Sequence, residues 1–173
     1  MTTILLDVKN KKIYADKRTT YSHEDYGFDE YTDGNLKIHK DMGHTNVAVY
    51  TGSGCVDNLD EFRRGNNPVS MSDTRALYIE YSQESKIFTV IGAEPAKVKV
   101  FSLDYFLGKR YYWKKHVYVV TDYLTTGSGS KYATGAYLSG YPAERIIPDI
   151  VAQLDVNTSP DQNVFNFKTG KFE

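Results

Sequence analysis

Thr2 follows the start methionine and precedes the apolar run Ile4-Leu5-Leu6, so removal of Met1 would leave a hydroxyl and a free α-amino group on one residue held by a strand. An α-amino group titrates at roughly 7.7–8.0. Near neutral pH a useful fraction of it can take the proton of the neighbouring hydroxyl, making Thr2 a nucleophile that carries its own base. Many chains begin Met-Thr and use it for nothing, so the remaining residues decide. Two Gly-Ser-Gly segments, Gly52-Ser53-Gly54 and Gly127-Ser128-Gly129, each follow an apolar strand and precede a helix. That order aims backbone N–H groups and the positive end of a helix dipole at one spot, which suits an anion or a developing oxyanion. The alternative is that the glycines only turn the chain.

Other chemistries find less support. Gly129-Ser130-Lys131-Tyr132 lacks the ending of a phosphate loop, and Tyr132 stands where a dinucleotide motif needs its third glycine. Cys55 has no histidine partner and reads as a small buried residue. His39 and His44 lack a third ligand at a recognisable spacing, so neither a metal nor a cofactor is expected. Aromatic and lysine residues interleave from Tyr105 to Tyr118; stacking on nucleic-acid bases is one reading, and an amphipathic strand pair used in a core or interface is the simpler one.

The elements that must position these groups follow from hydrophobic period and turn residues. Thr2 to Val8 and Lys12 to Asp16 read as a β-hairpin around Lys9-Asn10-Lys11. The acidic stretch His23 to Asp33 reads as an exposed loop or lid. Asn35 to His39 and Thr45 to Thr51 read as short strands around Asp41-Met42-Gly43, followed by a helix over Val56 to Phe62 that Gly65-Asn66-Asn67-Pro68 stops. Strands are expected at Ala76–Tyr81, Lys86–Ile91, Lys97–Val100 and Val117–Tyr123, with Phe101 to His116 unassigned. A small-residue helix spans Lys131 to Ser139. A further helix opens at Tyr141-Pro142 with apolar positions Ile146, Ile147, Ile150, Val151 and Leu154, kinked or split by Pro148. A last strand lies around Val164 to Phe167.

The length of 173 residues suits one domain spanning 1–173 with a full core. The 21 basic and 22 acidic residues nearly cancel, which gives no reason to invoke nucleic acid or an anionic membrane. A single cysteine excludes an intramolecular disulfide framework and points to a reducing compartment such as the cytoplasm. No apolar run reaches membrane-spanning length, and the N-terminus lacks a signal peptide's basic start. Fifteen Tyr and eight Phe among many Val, Ile and Thr tilt the chain toward strands.

Four islands together resemble the proteasome β-subunit and HslV-type proteases, members of the N-terminal nucleophile hydrolases, and especially the small stand-alone relatives found in bacteriophage genomes. They are Met1-Thr2-Thr3-Ile4; Ile13-Tyr14-Ala15-Asp16-Lys17-Arg18-Thr19; Lys37-Ile38 through Thr51-Gly52-Ser53-Gly54-Cys55-Val56-Asp57; and Gly127-Ser128-Gly129-Ser130-Lys131-Tyr132-Ala133-Thr134-Gly135-Ala136 with Asp155-Val156-Asn157-Thr158. The resemblance implies an α+β fold, the αββα four-layer sandwich. Its helical layer is reduced here, because the first helix is short and Pro68 to Thr74 offers no long second one. It implies a threonine-type peptidase in the cytoplasm, the host's if phage-encoded, with a peptide or protein substrate, a homo-oligomer and an ATP-dependent unfoldase as partners. Thr2 is then the nucleophile and Asp16 orders the active-site Lys37. Gly52 or Ser53, with Gly54, forms the oxyanion turn, and Ser128, Asp155 and Thr158 brace the nucleophile from behind. The chemistry also stands without the name. An ammonium beside the Thr2 hydroxyl lowers its pKa, and a carboxylate keeps that ammonium oriented. The alternative is a catalytically inactive derivative of the fold with a structural or host-interaction role.

Overall fold

A computed structural model of the protein describes residues 2–23, 28–42, 46–101 and 106–173. The N-terminal hairpin forms as the sequence predicts: β1 (Thr3–Asp7) pairs with β2 (Lys12–Asp16), Ile4 opposite Ala15 and Leu6 opposite Ile13. Asp7 ties the turn by accepting from the Asn10 amide side chain at 2.6 Å. All five residues of β1 are buried. The reason for so unbroken an apolar run is that both faces of this strand are covered.

Two five-stranded antiparallel sheets carry the fold, a mixed α/β arrangement with few helices. The first sheet adds β10 (Tyr123–Gly127), β11 (Gln162–Asn166) and β12 (Lys171–Phe172) in the order β10-β1-β2-β11-β12. The second runs β5 (His39–Asp41), β6 (Val47–Gly54), β7 (Thr74–Tyr81), β8 (Phe88–Phe101), β9 (Phe106–Val120) in that order. Ile4, Leu6, Ile13 and Ala15 of the first sheet pack with Val49, Leu77, Ile79, Phe88 and Val90 of the second, closed by Phe165 and Phe167. Leu5 and Tyr14, on the other face of the first sheet, pack against Ala133 of α2 (Ser130–Leu138) and against Ile146, Ile147 and Val151. The outer face of the second sheet is covered by Leu59 and Phe62 of α1 (Val56–Arg64), which meet Ala76, Tyr78, Ala93 and Trp113. Gly65 ends α1 at φ 79°, donating its N–H to the Glu61 and Phe62 carbonyls. Trp113 extends this thin helical cover, stacking edge-on to Phe62 and donating to the Asn66 carbonyl at 2.8 Å.

Several elements differ from the sequence reading. The acidic stretch is no plain loop: β3 (Thr19–His23) and β4 (Phe28–Thr32) pair as a separate hairpin, with residues 24–27 outside the described ones. The strand expected at Asn35–His39 shifts to β5, which shares only His39 with it and takes in Asp41 of the expected turn; Gly43 of that turn lies outside the described residues. Gly52-Ser53-Gly54 is the paired end of β6, opposite Ala76, Arg75 and Thr74. The strands expected at 86–91 and 97–100 are one long β8, and most of the unassigned segment is β9. Pro95 is tolerated inside β8 because beyond Ala93 only β9 pairs with that strand, leaving one side of the ladder open for a residue without an N–H. The strand expected at 117–123 instead turns at Thr121-Asp122 from β9 into β10. Of the kink or split expected at Pro148, the split does not occur. Helix α3 (Ala143–Ile146) widens into a π-helical turn, Ile147–Val151, before a last turn, α4 (Ala152–Leu154). A π turn makes room for the ring where an α turn would clash.

Among the described residues, no helix is long and apolar enough to cross a membrane. Phe167, fully buried with its ring edge-on to Phe88 and Phe165, is a keystone of the inter-sheet core. Phe167→Ala is expected to cost about 3–5 kcal/mol of unfolding free energy. The exposed Val98→Ala should stay within roughly 0.5 kcal/mol of wild type. Urea unfolding midpoints check both.

Candidate functional site

The start of β1 is fixed by the end of β10. Gly127 lies opposite Thr3 at φ 96°, and a Cβ there would overlap the Thr2 carbonyl, so only glycine lets the two backbones meet. The Ser128 N–H donates to that same carbonyl at 3.1 Å. Gly129 is equally confined, since a Cβ would run into Val151 and the Thr3 hydroxyl. The second Gly-Ser-Gly segment is therefore a seat for residues 2 and 3. Thr2 is held with 7% of its surface exposed.

Asp16, at the end of β2 and fully buried, collects donors from four directions. The Thr3 N–H reaches Oδ1 at 2.6 Å, and the Arg18 and Ser159 N–H groups reach Oδ2 at 3.0 and 3.4 Å. Lys37 Nζ donates to both oxygens, at 3.2 and 3.1 Å, and to the Arg18 carbonyl. Burial pushes the Asp16 carboxyl up and the Lys37 ammonium down, while each partner pulls the other back toward its charged form. Every contact to Asp16 is a donor, which suits the ionised carboxylate. The Lys37 backbone is held as well, its carbonyl accepting from Thr51 Oγ1 at 2.8 Å.

A second carboxylate organises the opposite side. Asp155, just past α4, accepts from Ser128 Oγ at 2.5 Å and from Thr158 Oγ1 at 2.8 Å on one oxygen, and from the Asn157 N–H at 3.1 Å on the other. Thr158 Oγ1 also lies 2.7 Å from Thr3 Oγ1. The Thr158 proton is committed to Asp155, so Thr3 is the donor in that contact. The result is a one-way chain, Thr3 to Thr158 to Asp155, with Ser128 joining at its end. Burial works against the Asp155 charge, yet the Ser128, Thr158 and Asn157 donors outweigh it and hold the carboxyl below its usual value.

Thr2 forms part of the wall of two clefts. One, of about 310 Å³, is lined with Ser53, Gly54, Asp73, Arg75 and Ser128; the other, of about 250 Å³, with Thr19, Thr20, Leu36, Lys37 and Gly54. Thr2, Lys37 and Gly54 thus share one cavity, and Asp16 sits behind Lys37. Of the two candidates at the first Gly-Ser-Gly segment, Ser53 faces a cleft with Thr2. Gly52 is instead wedged beneath α1, where a Cβ would strike Leu59 and come within 2.6 Å of the Arg75 carbonyl.

Sequence reasoning missed Thr3, Arg18 and Ser159, which act through backbone groups or a hydroxyl one position from a named residue. The only signal for Arg18 was its place two residues after Asp16, the spacing at which an aspartate caps a following N–H. Arg75 was missed altogether, because an arginine in an alternating strand reads as a solvated face. Met1 and His44 lie outside the described residues. Among the described residues no group of three His, Cys, Asp or Glu side chains is placed to hold a metal.

Removing the Asp16 charge leaves Lys37, 10% exposed, without its counter-ion. Asp16→Asn is expected to cost about 3–5 kcal/mol, and adding Lys37→Met should recover much of the loss, read as a double-mutant cycle in denaturant. Because the Asp155 pKa is lowered on folding, its stabilising contribution is complete above roughly pH 4 and is lost as pH falls through the folded value. Asp155→Asn should therefore flatten part of the acid limb of the stability curve, followed by melting temperature between pH 2 and 6. Compared with protein-family models and with curated proteins, the chain matches none.

Proposed function

We propose that this protein is a threonine-type peptide hydrolase of the N-terminal nucleophile kind, built on the αββα four-layer sandwich with a reduced helical layer over its second sheet. The observation that carries the reading is the shared cavity of Thr2, Lys37 and Gly54 with the buried Asp16 braced behind Lys37. These residues were named from sequence on separate strands. The independent hydroxyl chain from Thr3 through Thr158 to Asp155 adds support, since it fixes the residue next to the nucleophile.

Once Met1 is removed, the Thr2 amine takes the proton from its own hydroxyl, and the oxygen attacks the carbonyl carbon of a peptide. The nearby Lys37 charge favours the alkoxide, and backbone N–H groups around Ser53 and Gly54 stabilise the tetrahedral oxyanion. Collapse expels the leaving amine, which receives the proton from the Thr2 ammonium and leaves an ester on Thr2. Water, deprotonated by the same amine, hydrolyses that ester and restores the hydroxyl. Removal of the methionine and cleavage of peptides both belong to the cytoplasm in this reading.

Thr2→Ala is expected to lower turnover of short peptides by at least about a thousandfold, and Lys37→Ala and Asp16→Asn by about a hundredfold or more. Thr2→Ser, which keeps hydroxyl and amine, should retain measurable activity. Turnover unchanged in Thr2→Ala would overturn the proposal, and a protein that keeps Met1 in its native host would belong to the inactive alternative. The pH–rate profile should be a bell. Rate rises as the amine loses its proton, near roughly 7.7–8.0, and falls as Lys37 loses its own, below the ordinary lysine value because burial lowers it. Lys37→Arg should remove the alkaline limb, measured as kcat/KM against pH.

A further inference from the structure

Glycines inside strands weaken them, so each calls for a reason. Close approach supplies one for Gly52, Gly54 and Gly127, where a Cβ would collide with neighbouring backbone. Gly92 is different. It lies in the middle of β8, paired with Leu77 on one side and His116 on the other, and its φ is outside the left-handed range. A Cβ there would meet nothing closer than 3.5 Å, the Tyr118 ring, with Leu77 at 3.8 Å, which is ordinary contact. Neither conformation nor crowding demands a glycine at this position.

What the missing side chain leaves is a cavity of about 180 Å³ between the sheets, walled by Leu77, Gly92, Tyr118 and Leu124. Arg75 and Thr126 line both this cavity and the larger cleft that contains Thr2. The cavity therefore adjoins that cleft, with Arg75 in the wall of both, its guanidinium 3.5 Å from Glu94. A mainly apolar recess next to a polar cleft matches a side-chain pocket beside a backbone-binding groove.

We propose that the Gly92 cavity is a specificity subsite for a medium-sized apolar side chain, such as leucine or methionine, of a peptide lying in the Thr2 cleft. This rests on the peptide-hydrolase reading for its ligand class. Gly92 is the specificity-determining position: a Cβ there makes only ordinary contacts, and a side chain fills the pocket in proportion to its size.

The test separates the two claims. Binding of acetylated tripeptide amides, with Gly, Ala, Val, Leu or Trp at each position in turn, is measured by calorimetry on the full chain carrying Thr2→Ala, so no turnover is involved. At one position affinity is expected to rise about tenfold from Gly to Leu and to fall again at Trp. Adding Gly92→Val should abolish that rise, and Gly92→Ala should reduce it. A rise that persists with Gly92→Val, or no rise at any position, overturns the subsite. If Gly92→Val fails to melt cooperatively, the milder Gly92→Ala decides. The nucleophile is read separately, by intact-mass detection of one acyl adduct at Thr2 of the methionine-free wild-type protein after exposure to a small β-lactone. Side-chain discrimination without an adduct leaves the subsite standing and removes the hydrolase. An adduct without discrimination does the reverse.

Discussion

Taking the Asp16 carboxylate and the Lys37 ammonium out of water costs several kcal/mol per ion, and their mutual attraction offsets this only where further hydrogen bonds complete both groups. Here the completion comes from main chain. Three backbone N–H groups, from Thr3, Arg18 and Ser159, converge on Asp16, and the Arg18 carbonyl takes part of the ammonium's donor capacity. Each of these groups belongs to a different stretch of chain: the start of β1, the exit from β2, and the loop after α4. The ion pair can exist only if those stretches come together, and once formed it holds them there. A charge network of this kind fixes position more than it adds stability. Here it holds the first strand of the chain in place, where an untied segment would fray.

Sheet geometry explains why the clefts open where they do. Thr3 at the start of β1 pairs with Gly127 at the end of β10, and Gly54 ends β6 opposite the first residue of β7. Strand ends from both sheets therefore meet at one edge of the sandwich, where β1 and β10 approach β6. Inter-sheet packing by Ile4, Val49 and Leu77 stops short of that edge. The clefts that remain are lined by hydroxyl groups of Thr2, Ser53 and Ser128 together with the charged Asp73, Arg75 and Lys37. A fold that buries large apolar side chains in its middle can leave polar main chain accessible only at such a margin.

How much of this was legible in the chain depends on whether side-chain type or backbone position does the work. β1 could be read from Ile4-Leu5-Leu6, whereas the Asp16–Lys37 pair was named only through the resemblance carried by Ala15-Asp16-Lys17-Arg18-Thr19 and Lys37-Ile38. The β3–β4 hairpin was not legible, because it belongs to neither large sheet and its acidic sequence carries no apolar alternation. β9 was obscured because it is an edge strand: Val117 and Val119 are exposed, and lysines interrupt the pattern a core-facing strand would show. Gly52-Ser53-Gly54 read as a turn because glycine usually marks one. Here Gly52 serves the close packing of α1 on β6, a tertiary demand that leaves no local trace, while Gly54 takes φ 106° against the Asp73 backbone. Thr3, Arg18 and Ser159 were missed for a related reason, since almost any residue could offer the same N–H.

The two buried carboxylates show how one functional group takes opposite roles through its neighbours. Asp16 faces a cation, and burial works to neutralise both members of the pair while each holds the other toward its charged form, at the edge of the cavity lined by Lys37 and Thr2. Asp155 faces hydroxyls and an N–H that donate without carrying charge, and its carboxyl is held firmly ionised. A carboxylate of the second kind is a fixed acceptor: it orients Ser128 and Thr158, and through Thr158 the Thr3 side chain, without exchanging protons near neutral pH. A pair of the first kind can shift its electrostatics as the cavity loses water. The fixed acceptor thus braces the Thr3 side chain, while the ion pair borders the cavity that Thr2 also lines.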